Sequence, residues 1–128
     1  MAGIVLDSSI VIALFKPTDR HHDEVKESVI AVEERLMIST ITLAEVLVRP
    51  AQLSQKEAVS KAGLLRDYFG LAIAVTSDVA ELAAAVRAST GLTIPDAIIS
   101  ATATLNEATL WTCDARLAKL HKGARLIA

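Results

Sequence analysis

The sequence predicts an α/β fold: a three-layer α/β/α sandwich with a central parallel sheet of four to five short strands and helices on both faces. Three observations predict it. Short runs of Val, Ile and Leu alternate with longer segments of helical period, the pattern of successive βα units. The composition is 52% hydrophobic but only 3% aromatic, so aliphatic side chains fill the interior, as tight packing of helices on a sheet requires. Finally, Asp7, Glu45, Asp96 and Asp114 each lie just past an apolar run or early in a helix beside one. Parallel sheets bind ligands at the carboxyl ends of their strands. At 128 residues the chain is expected to form one domain over residues 1–128. A domain of this length buries roughly two-thirds of its unfolded surface.

The elements follow in order. Ile4-Val5-Leu6 suits a buried central strand, and Ser8 and Ser9 open a short helix through Leu14. Lys16-Pro17-Thr18-Asp19 is a break, with Thr18 or Asp19 as the next N-cap. Val25, Val29, Val32 and Leu36 then recur at helical spacing and predict a long amphipathic helix. Met37-Ile38-Ser39 reads as strand two. Thr42 opens a helix expected to end by Pro50, since the residue before proline leaves the helical region. Ser54 to Phe69 is the next helix, with Ala58, Ala62, Leu65 and Phe69 inward and Gly70 closing it. The apolar run Leu71 to Val75 reads as strand three. Asp78 to Thr90 is helical, closed by Gly91, and Pro95 fits the first turn of another helix. Thr109 to Thr112 is strand four, Ala115 to His121 a short helix, and Leu126-Ile127 a fifth strand.

No apolar stretch approaches the roughly 18 residues that span a bilayer, and Asp7 interrupts the N-terminus too early for a signal peptide. One cysteine, Cys113, excludes an internal disulfide and fits a reducing compartment, so a cytoplasmic protein is expected. The net charge of −2 argues mildly against nucleic-acid binding by bulk electrostatics. Four neutralised acids would leave the remaining surface near neutral to slightly basic.

Each of the four acids has a local explanation. Asp7 and Asp114 suit N-caps, Thr42-x-x-Glu45 is a capping box, and Asp96 beside Pro95 favours a helix dipole. Ser54-x-x-Glu57 and Asp78-x-x-Glu81 look much the same with no suggestion of chemistry. What separates the four is their shared edge. The βα order carries Asp7, Glu45 and Asp114 to the carboxyl edge, and a right-handed crossover allows Asp96 to join them. Together they would make an all-oxygen pocket near −4, unstable without a bound cation. Hard carboxylate oxygens suit Mg²⁺, or Mn²⁺ as a substitute, and nothing suits zinc. Asp7 and Asp96 are the expected inner ligands. Asp114 and Glu45 would hold water or a second ion. Ser9 and Thr112 lie two residues from Asp7 and Asp114, where they either orient those acids or serve as ordinary cap and strand residues.

Val5-Leu6-Asp7-Ser8-Ser9, Thr42-Leu43-Ala44-Glu45-Val46, Pro95-Asp96-Ala97-Ile98-Ile99 and Leu110-Trp111-Thr112-Cys113-Asp114-Ala115-Arg116-Leu117 resemble the four motifs of PIN-domain ribonucleases. The VapC toxins of toxin–antitoxin pairs are the most similar subgroup. The resemblance runs over essentially the full chain, and Leu117 stands where the family often has an aromatic residue. It implies a PIN-like sheet with strand order resembling 3-2-1-4-5. It also implies a metal-dependent endoribonuclease that inhibits translation and growth, with Asp7, Glu45, Asp96 and Asp114 catalytic and Asp7, Asp96 and Asp114 on the metal. The implied partners are RNA, a VapB-type antitoxin and a second copy of the chain, with helices around Leu53 to Phe69 contributing to the antitoxin groove and dimer face.

His21, His22 and His121 show no ligand spacing with the acids and read as surface residues. Trp111 reads as core and Cys113 as a buried thiol. Arg49, Arg87, Arg116 and Lys119 are candidates for phosphate contact, Arg116 the best placed, against the plain alternative of solvated charges. The rival function is a silent or phospho-receiver-like module acting through protein binding. A receiver needs paired acids after strand one and an Asp after strand three. Here Asp7 precedes Ser8 and Ser9, and Val75 precedes Thr76. A phosphohydrolase of Asp-x-Asp type would need a second acid at Ser9.

Overall fold

Two buried clusters lie on opposite faces of one sheet, and strand alternation sorts the side chains between them. A computed structural model of the chain describes residues 3–127. Strand β1 (Ile4–Leu6) is central. Its Ile4 and Leu6 enter one cluster and Val5 the other, as period-two geometry dictates. The first cluster adds Ile10 and Ala13 of α1 (Ser8–Phe15), Val25 and Val29 of α2 (His22–Ala31), Val46 of α3 (Thr40–Leu53) and Leu65 and Phe69 of α4 (Gln55–Phe69). The second adds Val79 and Ala83 of α5 (Ser77–Thr90), Ala97, Ile99 and Ala101 of α6 (Ile94–Leu105) and Leu117 of α7 (Ala115–Leu120). The three layers predicted from the sequence are therefore present.

The sheet is wholly parallel, in the order β2-β1-β3-β4, with β2 Leu36–Met37, β3 Thr109–Thr112 and β4 Arg125–Leu126. Val5 pairs with Met37 on one side and Leu110 on the other. The expected strand Leu71–Val75 shrinks to a parallel bridge between Ile73 and Ser39. Two backbone bonds make it: Ile73 N–H to the Ile38 carbonyl at 2.8 Å, and Thr40 N–H to the Ile73 carbonyl at 2.9 Å. Leu71 is 82% exposed, so this apolar run sits on the outer margin of the sheet rather than inside it. Counting the bridge as a vestigial strand recovers the order expected from the resemblance.

Other boundaries shift for local reasons. Helix α2 begins at His22 with no side-chain cap, while Asp19 accepts from the His21 N–H at 2.8 Å. It stops at Ala31, where Val32 turns extended as the C-cap, and Leu36 enters β2 instead. Helix α3 starts at Thr40, capped by Ser39, whose Oγ accepts from the Ile41 N–H at 3.1 Å. Thr42 is therefore a helix-interior residue and not a cap. The helix also runs through Pro50 to Leu53. Proline removes one N–H from the last turns only, and Ser54 N–H still reaches the Pro50 carbonyl at 3.1 Å. Thr76, not Asp78, caps α5. Ser54 caps α4 as expected, and Gly70 closes it with φ 75. Among the described residues, no single helix is long and apolar enough to cross a membrane.

Candidate active site

Asp7 ends β1 and caps α1, so one residue closes a strand and opens a helix. Its side chain is buried, 5% exposed, and held on both oxygens. Oδ1 accepts from Ser9 Oγ at 2.5 Å and from the Ile10 N–H at 3.2 Å. Oδ2 accepts from Thr112 Oγ1 at 2.5 Å. Thr112 ends the neighbouring strand β3, and its Oγ1 also accepts from the Asp114 N–H at 2.9 Å. One hydroxyl thus links two of the acids. Ser9 Oγ accepts from the Cys113 N–H at 3.0 Å, a second stitch between the carboxyl ends of β1 and β3.

Asp114 is the N-cap of α7 and accepts from the Arg116 N–H at 2.9 Å and the Leu117 N–H at 3.3 Å. Asp96 lies in the first turn of α6, whose cap is Thr93. Glu45 lies in the second turn of α3, where the nearby Ser8 hydroxyl favours its charged form. The capping roles read from sequence hold for Asp7 and Asp114. For Glu45 the role falls away, because Ser39 caps α3 and Thr42 does not.

The four acids act on one another. Burial raises the pKa of Asp7, opposed by Ser9, Thr112 and Ile10 and reinforced by the charge of Asp96. Burial raises Glu45 as well, with Asp96 and Asp7 adding to it and the Ser8 hydroxyl opposing it. Asp96 is raised by burial and then by Asp114, while its Thr93 hydrogen bond and Arg116 pull it down. Residues from four separate segments therefore share one electrostatic site, and Arg116 is the cation that acts on it. Arg116 is itself anchored, its Nη2 donating to the Gly91 carbonyl at 3.2 Å.

This donor set fits a hard divalent cation. It offers carboxylate oxygens with excess negative charge, and the nearby Cys113 thiol is pushed up to about 11, mainly by burial, so it supplies no soft thiolate. Among the described residues, no three His, Cys, Asp or Glu side chains converge as a complete ligand cage. Mg²⁺ needs none, since it keeps several waters and takes one or two carboxylates directly.

Two residues of the site escaped the sequence reading. Ser8 lowers the pKa of Glu45, and Thr93 caps the helix that carries Asp96. A hydroxyl beside an acid motif is a weak signal, and only the fold shows which carboxylate it meets. His121 is half-buried rather than on the surface, with its Nδ1 2.6 Å from Ser100 Oγ and its pKa lowered by burial. His22 Nδ1 lies 2.7 Å from the Ala13 carbonyl. Trp111 is core, at 3% exposure. Replacing Thr112 with Val keeps the shape but removes the shared hydroxyl. We expect any activity that depends on Asp7 and Asp114 to fall roughly 10- to 100-fold, as when an outer partner of a ligand is lost. Metal titration by calorimetry should show the matching loss of affinity, and an unchanged titration would refute the linking role.

A family model described as PIN domain matches residues 4–123. Among solved structures, a toxin–antitoxin complex from Klebsiella pneumoniae is similar at 28% identity and TM-score 0.79, covering 98% of each chain. FitAcB from Neisseria gonorrhoeae is similar at 21% identity and TM-score 0.77, covering 96% of each chain. The sarcin-ricin loop cleaving toxin VapC20 from Mycobacterium tuberculosis is similar at 20% identity and TM-score 0.76, over 91% of this chain and 94% of the other. The last two likenesses are likenesses of fold. No curated protein matches the sequence.

Proposed function

The chain belongs to the PIN-domain family, and on that premise we propose that it is a Mg²⁺-dependent endoribonuclease acting in the cytoplasm as the toxin of a toxin–antitoxin pair. The observation that carries this reading is the mutual electrostatic action of Asp7, Glu45, Asp96 and Asp114, opposed by the single charge of Arg116. Asp7 and Asp96 would hold the ion directly, and Asp114 through a bound water. Bound there, it neutralises charge on the phosphate and acidifies water at neutral pH. Ser9 and Thr112 keep both oxygens of Asp7 oriented. Glu45, raised in pKa by burial, takes the proton of the attacking water on its carboxylate. The new phosphorus–oxygen bond forms as the bond to the leaving oxygen breaks. Arg116, steadied by Gly91, keeps a positive charge beside Asp96 for the scissile phosphate.

A protein partner and a second copy of the chain are part of the same reading. Leu53 (70% exposed) and Leu64 (47%) line one groove between α3 and α4 together with Pro50, an exposed apolar surface that suits a partner. A toxin–antitoxin complex stands among the similar structures, which supports a VapB-type antitoxin as the partner. The test is cleavage of total cellular RNA by the purified protein with Mg²⁺, with and without EDTA, beside Asp96→Asn. We expect cleavage by the native chain with Mg²⁺ alone and growth arrest on expression, both lost in the variant. Cleavage that survives both EDTA and the substitution would sink the proposal.

A further inference from the structure

A groove of about 560 Å³ runs between α1, α3 and α4, and its charge does not match that of the protein. The chain carries −2 overall, yet Lys16, Arg49 and Lys61 all line this groove, with Glu45 as its acid. The groove is continuous with the candidate active site, because Glu45 belongs to both. From Glu45, Arg49 follows one helical turn along α3, on the same face. Lys16 stands at the end of α1, and Lys61 faces them from α4. The Lys61 ammonium lies 4.9 Å from the centroid of the Phe15 ring. That ring packs edge-on against Tyr68 and Phe69, at 5.3 and 6.1 Å between centroids, so an aromatic wall lies beneath Lys61. Phe15 and Pro50 give the lining apolar, aromatic surface between the cations.

We propose that this groove is the substrate track: Lys16, Arg49 and Lys61 hold consecutive phosphates of a single-stranded RNA and feed the strand to the acids at Glu45. The proposal rests on the ribonuclease reading above and adds to it which residues grip the RNA and in which direction from the site. Spaced cations around an apolar, aromatic lining suit a chain that alternates phosphates with unpaired base faces. The four acids repel a polyanion, so a cationic track leading away from them adds to the attraction that Arg116 supplies at the site.

The test is fluorescence anisotropy with a labelled single-stranded RNA of roughly 12 nucleotides, within the span that such channels grip. It is run in Mg²⁺ on Asp96→Asn protein, so that the strand survives. Adding Lys16→Ala, Arg49→Ala and Lys61→Ala together should weaken binding about tenfold or more. It should also lower the slope of log Kd against log salt by about one for each phosphate no longer held. Lys26→Ala, an exposed cation on α2, should change neither. In the otherwise native enzyme, the triple variant should raise KM for a cleaved RNA while kcat stays within about twofold, the mark of uniform binding. Melting curves show whether the variants fold. A folded triple variant with native affinity and salt slope overturns the track, as does one that keeps native RNA affinity but no longer binds an acidic helical peptide, which assigns the groove to a protein partner. If the native protein neither binds nor cuts RNA, the ribonuclease reading itself fails. If it cuts RNA and the triple variant has a native KM, only the track fails.

Discussion

Asp7→Asn is expected to lower metal-dependent RNA cleavage about a thousandfold while leaving the metal-free protein at least as stable at neutral pH. The two effects share one cause. Asp7 is a buried carboxylate whose pKa is raised, chiefly by burial. Its native state therefore binds a proton more readily than the unfolded chain, whose Asp titrates near 3.8. The sign follows: stability from this group is fully present below that unfolded value and is lost as pH rises toward the folded one. Glu45 and Asp96 are also raised and act in the same direction. The metal-free protein should thus melt at a higher temperature near pH 4 than near pH 7 as far as these three groups decide, with added Mg²⁺ recovering the difference. Asn removes the buried charge and can still hydrogen-bond the Ser9 and Thr112 hydroxyls. It also removes several kcal/mol of transition-state charge stabilisation held through the ion, at about 1.4 kcal/mol per tenfold in rate. Melting curves at both pH values, with and without Mg²⁺, check the first effect, and single-turnover cleavage checks the second. A variant that cleaves within tenfold of the native rate would remove Asp7 from the metal.

Trp111→Ala should cost about 3–5 kcal/mol of folding stability, the range for truncating a large buried aromatic residue. Trp111 is 3% exposed, sits in the cluster beneath α1 to α4, and its ring packs under the Arg125 guanidinium at 4.4 Å. Its carbonyl also accepts from the Asp7 N–H at 3.2 Å, so β3 slackened at this point would also loosen Asp7 and Thr112. Urea unfolding measures the loss, and a change under about 1 kcal/mol would show that the cavity closes without penalty.

Several features were legible in the chain because they depend on short-range periodicity. The β1 run, the Thr109–Thr112 strand, the Ser54 cap and the Gly70 and Gly91 stops depend on neighbours within a few residues, and the structure has each of them. Leu71 to Val75 misled for the complementary reason. An apolar run looks the same whether a sheet surrounds it or merely borders it, and only the position outside β2 leaves Leu71 in solvent. Thr42 misled through a local pattern that Ser39, three residues earlier, had already satisfied.

By itself, the sequence determined the α/β alternation and the parallel sheet and singled out four acids as candidates, because hydrophobic period and βα connectivity are properties of consecutive residues. Only the tertiary structure decided what each acid meets. Thr112 bonding Asp7 spans 105 positions, and Cys113 bonding Ser9 spans 104. No local pattern encodes such pairings, since they arise when β1 and β3 align in register and bring their carboxyl ends side by side. The same alignment places Asp7 and the Asp114 backbone against one hydroxyl, that of Thr112, while α3 and α6 bring the charges of Glu45 and Asp96 to the same edge.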